Sequence, residues 1–289
     1  MAKSHPVSIG SETHALAGTL MLPEGAAAST PVPGAVIVGG PGPLPMQRYT
    51  STGTKQWPVL WSESLAKAGF AALCYDQRGA GLSTGVYHEA DWNALYDDAR
   101  AATEMLAVQP EVSRVVAIAF DAGCAFGLQL AAEGKVNALV LMAPAYRTEE
   151  ERYVRAISAL AAKKGLSDRV VQIRVNQWRD DLLATVRRVE QGETTSTVDL
   201  SGQAVVTNLV RFLQTVAFDP ASVVSQVKVP VLLLHGLEDR VILPEESAAM
   251  AEALGPQSRR LTYPGKGHFL QNEVRPLADT TRWLTETLG

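Results

Sequence analysis

Three short stretches place a carboxylate or an imidazole among small residues, where each could act on a substrate. Ala119-Phe120-Asp121-Ala122-Gly123 sets a carboxylate directly after an apolar strand pattern and directly before a helical one. Gly236-Leu237-Glu238-Asp239-Arg240-Val241 follows a second strong strand pattern, and Pro264-Gly265-Lys266-Gly267-His268-Phe269 follows the last one. An aspartate side chain is ordinarily ionised at neutral pH, so it needs no base to become a nucleophile. It suits attack on an sp3 carbon that bears a leaving group, such as an epoxide or a carbon–halogen bond, and gives an alkyl ester. Attack on an ordinary ester would give a mixed anhydride, a less favourable intermediate. An imidazole oriented by a second carboxylate can then activate water to hydrolyse the alkyl ester.

Other reactive residue types have plainer readings. Gly81-Leu82-Ser83-Thr84-Gly85 spells G-x-S-x-G, but no helix pattern stands immediately behind it, and Ser83 is read as a loop residue. Cys124 lies within the helix after Asp121 and is read as a small packing residue. His235 ends a strand and is read as structural, while His5, His14 and His88 have no motif around them. Glu149-Glu150-Glu151 reads as a solvated helix start. No His/Cys/Asp spacing suggests a metal site, and no cofactor is called for.

Positioning these residues is the work of a regular alternation. Strand patterns at His14 to Leu22, Gly34 to Gly40, Phe70 to Tyr75, Arg114 to Phe120 and Asn137 to Met142 interleave with helical spacing at Trp57 to Ala68, Asp91 to Val108 and Ala122 to Glu133. Continuous apolar strands between amphipathic helices predict an α/β fold: a mostly parallel sheet with helices on both faces. The rhythm breaks after Pro144 and resumes at Val229 to His235, followed by a helix from Glu245, a strand at Arg260 to Tyr263 and a last helix at Pro276 to Leu288. The predicted organisation is therefore a core of 1–145 and 228–289 with a helical cap inserted at 146–227, including a polar turn around Gln191 to Gly202. Val154, Ile157 and Leu160, with Leu182, Val186 and Val189, are expected to pack that cap on the core.

The 289 residues contain 26 Lys+Arg against 30 Asp+Glu, a net charge of −4 with no dense basic run, so nucleic acid is excluded as a partner. The 46% hydrophobic content provides for a large core and excludes disorder. Two cysteines do not make a disulfide framework. No apolar stretch is long enough to span a bilayer, and Met1-Ala-Lys-Ser-His-Pro lacks the apolar core of a signal peptide. The expectation is a cytoplasmic protein acting on a small, neutral or weakly polar substrate, without a membrane partner. Self-association is left open.

Five stretches in this order, GGPGP (39–43), YDQRGAGLSTG (75–85), VVAIAFDAGCAFGLQLAAE (115–133), LLLHGLEDRV (232–241) and YPGKGHF (263–269), resemble an α/β-hydrolase of the lysophospholipase or serine-aminopeptidase-like branch. The resemblance implies a nucleophile elbow at 119–123, Asp239 as the acid and His268 as the base. It further implies an oxyanion hole from the Ala122 N–H and one N–H from the stretch Gly40, Pro41, Gly42. That branch carries Ser at the elbow, whereas this chain carries Asp121. Epoxide hydrolases and haloalkane dehalogenases of this fold are similar to it in having Asp there. Haloalkane dehalogenases hold halide with a Trp after the nucleophile, where this chain has Ala122, and haloacetate dehalogenases carry an Arg there. Epoxide hydrolases protonate the opening oxygen with cap tyrosines, for which Tyr146 and Tyr153 are the candidates, with Trp178 as a pocket wall. Trp57, Trp61 and Tyr49 could approach the site mouth. Epoxide opening by an Asp121–His268–Asp239 triad is the leading expectation. The alternatives are a serine-type ester or amide hydrolase whose serine has become aspartate, a lyase or cyclase using Asp121 as acid or base, and a binding-only member of the fold.

Overall fold

The structure is a computed structural model that describes residues 2–10, 14–40, 42, 56–200 and 203–288. The strands in chain order are β1 (Lys3–Gly10), β2 (Ala15–Leu22), β3 (Val32–Val38), β4 (Ala71–Tyr75), β5 (Val112–Phe120), β6 (Ala138–Met142), β7 (Thr195–Leu200), β8 (Gln203–Asn208), β9 (Val231–Gly236) and β10 (Ser258–Tyr263). The helices are α1 (Trp57–Lys67), α2 (Trp92–Ala107), α3 (Gly123–Ala132), α4 (Glu149–Lys164), α5 (Asp168–Glu190), α6 (Leu209–Ala217), α7 (Pro220–Val224), α8 (Pro244–Leu254) and α9 (Val274–Leu288). Two compact units result, one of Met1–Tyr87, Tyr96–Tyr146 and Pro220–Gly289, the other of His88–Leu95 and Arg147–Asp219.

The first unit is built on an eight-stranded sheet in the order β1-β2-β4-β3-β5-β6-β9-β10. Strands from β4 to β10 pair in parallel, and β1 and β2 add an antiparallel margin. The inner strands are apolar throughout because both faces are covered. Ala35 and Ile37 of β3, Cys74 of β4 and Ile118 of β5 point to one face, where Trp61 and Leu65 of α1 and Trp283 and Leu284 of α9 join one buried cluster. The alternate residues face the other side, where Gly34 abuts Leu106 of α2 and Gly127 of α3 packs on Ala119, Leu139 and Leu141. The mostly parallel, two-sided sheet expected from the sequence is the one observed.

Three strands, β1, β7 and β8, depart from the sequence-based expectation. Lys3–Gly10 forms β1, although its polar residues and Pro6 do not read as a strand; it is an outer strand pairing only with β2, a position that tolerates both. Part of the stretch predicted as a polar turn, Gln191 to Gly202, forms β7, which pairs antiparallel with β8. Thr and Val at 195–198 satisfy β propensity despite the polar composition.

In the second unit Thr148 caps α4 in a reciprocal box with Glu151, so the acidic run at 149–151 is a helix start. Asn208 caps α6 through the Arg211 N–H and donates its side-chain amide to the His88 carbonyl. Arg211 donates to the Ala90 carbonyl and Trp92 stacks near Phe218, which ties 88–95 to the helices of this unit. No helix of the described residues is long and apolar enough to cross a membrane.

Candidate active site

The carboxyl ends of the parallel strands form the site. Gly39 and Gly40 follow β3, Asp121 follows β5, Asp239 follows β9 and His268 follows β10. In parallel α/β sheets these ends converge on a crevice, which is why residues far apart in sequence can meet there.

Asp121 stands at the turn between β5 and α3 with φ 52°, a left-handed conformation that Asp tolerates better than most residues. Its N–H donates to the Met142 carbonyl and its own carbonyl caps the Cys124 N–H, so the turn is held on both sides. Gly123 permits the turn, since a Cβ there would lie 2.3 Å from the Gly39 carbonyl oxygen. Ala122 leads into α3, so its N–H is one of the first-turn donors without an intrahelical acceptor.

Asp121, His268 and Asp239 come together. His268 Nε2 lies 3.6 Å from Asp121 Oδ2, and His268 Nδ1 donates to Asp239 Oδ2 at 2.8 Å. Asp239 Oδ1 accepts the Val241 and Ile242 N–H groups at 2.8 and 3.0 Å. Burial by itself would raise the Asp239 pKa, but hydrogen bonds from His235, His268 and the Val241 N–H hold it well below the usual carboxylate range. Burial by itself would lower the His268 pKa, but the flanking Asp121 and Asp239 carboxylates push it up to about 9.

A cavity of about 420 Å³ opens over these groups. Its apolar wall is formed by Trp57, Pro58, Phe120, Val241 and Phe269, and its polar lining by the amides of Gln56, Gln77, Gln271 and Asn272. Phe120 packs at 5.1 Å, centroid to centroid, from the His268 ring and edge-on to Trp57. Asp121 and His268 are the only ionisable side chains among the described residues of the lining. Gln77 donates to the Gly40 carbonyl, bracing the loop after β3. Trp61 is fully buried and holds the Gln271 carbonyl through its indole N–H, so of the two tryptophans expected near the mouth only Trp57 lines the cavity. Tyr49 lies outside the described residues.

The other residues singled out from the sequence have the following surroundings. The Gly42 N–H donates to the Tyr87 hydroxyl at 2.9 Å, so it is already engaged and is not a free oxyanion donor. Pro41 lies outside the described residues. Gly40 lines the cavity, packed against Phe120 and the Asp121 Cβ. Tyr146 is a half-buried residue whose backbone N–H donates to Glu246. In the second unit Tyr153 and Trp178 stack on each other at 5.6 Å, and the Tyr153 hydroxyl donates to the Arg174 carbonyl. Ser83 donates to the Asp76 carbonyl and accepts the Ala17 N–H, a loop staple as expected. Cys124 is buried with its thiol directed at the Met142 and Ala119 carbonyls, and burial pushes its pKa well above the ordinary thiol value. Among the described residues no group of three His, Cys, Asp or Glu side chains could hold a metal ion. His235, read from sequence as structural only, touches Asp239, a contact that its place four residues upstream could have suggested.

Residues 60–275 match the family model for serine aminopeptidase, S33. The chain belongs to this α/β-hydrolase family. Among solved structures it is similar to a hypothetical protein from Pseudomonas aeruginosa, with 19% identity over 99% of this chain and 94% of that one and a TM-score of 0.72. It is similar to Est1E from Butyrivibrio proteoclasticus, solved with ferulic acid bound, at 15% identity over 98% and 99% of the two chains and a TM-score of 0.68. A Pyrococcus furiosus esterase matches at 17% identity over 99% and 91%, with a TM-score of 0.63. At these identities the likeness is one of fold, while membership of the family places the chain among hydrolases.

Proposed function

We propose that this α/β-hydrolase opens a small, neutral electrophile at an sp3 carbon, an epoxide foremost, through an alkyl ester on Asp121. The observation that carries the reading is a carboxylate, in place of a serine hydroxyl, on the left-handed turn 3.6 Å from His268 Nε2. Asp121 attacks the epoxide carbon, the ring C–O bond breaks, and the new alkoxide takes the proton that a His268 of pKa about 9 carries at neutral pH. The ester has no charge, so His268 then faces one carboxylate only and accepts a proton from water. That water adds to the Asp121 side-chain carbonyl carbon, with the Ala122 and Gly40 N–H groups serving the oxyanion. Collapse releases a diol and returns the Asp121 carboxylate with one oxygen from water and a protonated His268. His268 here replaces the tyrosine donors expected from sequence. A cavity lining without Lys or Arg among its described residues suits an uncharged substrate.

A second reading, an ester hydrolase lineage whose serine has become aspartate, is favoured by the serine aminopeptidase family model and the esterase neighbours. One experiment separates the two. A single turnover of aryl and alkyl epoxides in 18O-water is expected to place label in the Asp121 peptide, read by mass spectrometry, and His268→Gln is expected to accumulate the covalent adduct. Absence of label, or sustained turnover by Asp121→Asn, would overturn the nucleophile assignment. Esterase activity gained by Asp121→Ser would support the second reading.

A further inference from the structure

His235 takes no part in the steps above, yet its ring stands against the carboxylate they depend on. It is the fifth residue of β9 and fully buried. Its Nε2 lies 2.9 Å from the Ile242 carbonyl oxygen and 3.3 Å from Asp239 Oδ2. A carbonyl and a carboxylate only accept, so Nε2 carries the hydrogen and shares it between them. The other ring nitrogen, Nδ1, is buried with no hydrogen-bond partner among the described residues. An apolar ring of similar size would fill this space without orphaning a nitrogen, so packing alone does not account for a histidine here.

Asp239 Oδ2 therefore receives two imidazole N–H groups, from His268 at 2.8 Å and from His235 at 3.3 Å, while Oδ1 receives two backbone N–H groups. The two histidines differ in support. His235 is set in an interior strand of the sheet, whereas His268 stands on the loop after β10. The neighbouring Gly236 is pressed against that same loop, where a Cβ would lie 2.2 Å from the Gly267 carbonyl oxygen. We propose that His235 is a positioning residue: its Nε2–H aims Asp239 Oδ2 at His268 and limits how strongly that oxygen holds the His268 proton. The proposal rests on Asp239 and His268 working as a pair. The remaining charged group facing the His268 imidazole, among the described residues, is Asp121 on its other side.

The donor shared by His235 can be deleted or kept. His235→Phe removes it and retains a ring, while His235→Gln keeps a terminal N–H at similar reach. In His235→Phe, Oδ2 has one donor fewer and holds the His268 proton more firmly. His268, followed by NMR, is then expected to titrate about half to one pH unit higher, and the Nδ1 proton to resonate further downfield. The pH profile of kcat shifts with it while KM is unchanged, and His235→Gln restores the parental titration. An unmoved His268 titration in folded His235→Phe, a downward shift, or a Gln variant that behaves like Phe overturns the proposal. If thermal melting shows that the Phe variant does not fold, His235→Asn, whose amide stops short of Asp239, takes its place with the same outcomes. The NMR readouts need no substrate, so a failure of the Asp121 nucleophile assignment in 18O-water leaves this test intact.

Discussion

Asp121→Asn asks whether the charge on the elbow residue governs the titration of His268 beside it. Asparagine keeps the shape and is also tolerated at φ 52°, so the change removes a charge with little disturbance of the turn. An amide on this side chain further resembles the uncharged ester of the proposed intermediate. In the parent, His268 rises from 6.5 to about 9 between two carboxylates. At the 3.6 Å separation from Asp121, the pairwise attraction is about 4 to 5 kcal/mol at an effective dielectric of about 20, or roughly three pH units at 1.36 kcal/mol each. Burial of the imidazole persists in the variant, as does Asp239, so His268 is expected to fall by about two to three pH units, back to the range of an ordinary histidine. Carbon-detected NMR of the five histidine rings from about pH 5 to about pH 10.5, with His268→Gln to assign the resonance, reads this directly. The same coupling has a sign in stability. Because the folded-state pKa lies above the unfolded one, the contribution is fully present below about 6.5 and is lost as pH rises through about 9, amounting to roughly 2.5 kcal/mol at pH 7. Denaturation midpoints of the parent should therefore decline between neutral pH and about pH 9, and those of Asp121→Asn should decline much less. A His268 that titrates near 6.5 in the parent, or one that ignores Asp121→Asn, would refute the electrostatic account and with it the exchange of roles from acid to base.

Two further outcomes follow from the scaffold. Gly123→Ala would drive a Cβ to 2.3 Å from the Gly39 carbonyl oxygen, forcing main chain apart; urea denaturation should show a loss of about 2 to 4 kcal/mol, and a parental midpoint would contradict the close approach. Ser83→Ala removes a donor to the Asp76 carbonyl and an acceptor for the Ala17 N–H, costing about 1 to 3 kcal/mol in the same assay. Turnover per folded molecule should be unchanged by Ser83→Ala, and its abolition in a well-folded variant would make Gly81–Gly85 the nucleophile motif.

The interior strands were legible because burial on two faces makes them apolar at every position, as in Ala138–Met142 and Val231–Leu234. That is a property of composition over five or six residues and needs no knowledge of partners. The outer strand β1 was not legible: with one neighbour and mostly exposed residues, Lys3–Gly10 needs neither apolar character nor a full set of donors. At the site, glycines and reactive residues after each strand announced where Asp121, Asp239 and His268 stand, since their loops are short and local. Gln271 carried no such signal, and the hint for His235 was its place four residues before Asp239. The first lines the cavity because the Trp61 indole fixes its backbone from 210 positions away, and the second reaches Asp239 through the closure of the β9 loop. The engaged Gly42 N–H depends likewise on Tyr87, which no spacing rule connects to the glycine-rich loop.

The two margins of the sheet have a consequence for the life of the protein in concentrated solution. A long parallel sheet ends in rows of backbone groups that could recruit a strand from a neighbouring molecule. Here β1 carries Lys3, His5 and Pro6, and β10 carries Arg259, exposed and paired with Glu286 of α9. Proline removes a donor from the outer row and charge makes stacking of like edges unfavourable, so the sheet terminates itself chemically at both ends. Replacing Pro6 and Lys3 with β-branched apolar residues would leave the crevice at Asp121 and His268 untouched and turn the margin into a template for fibrillar growth.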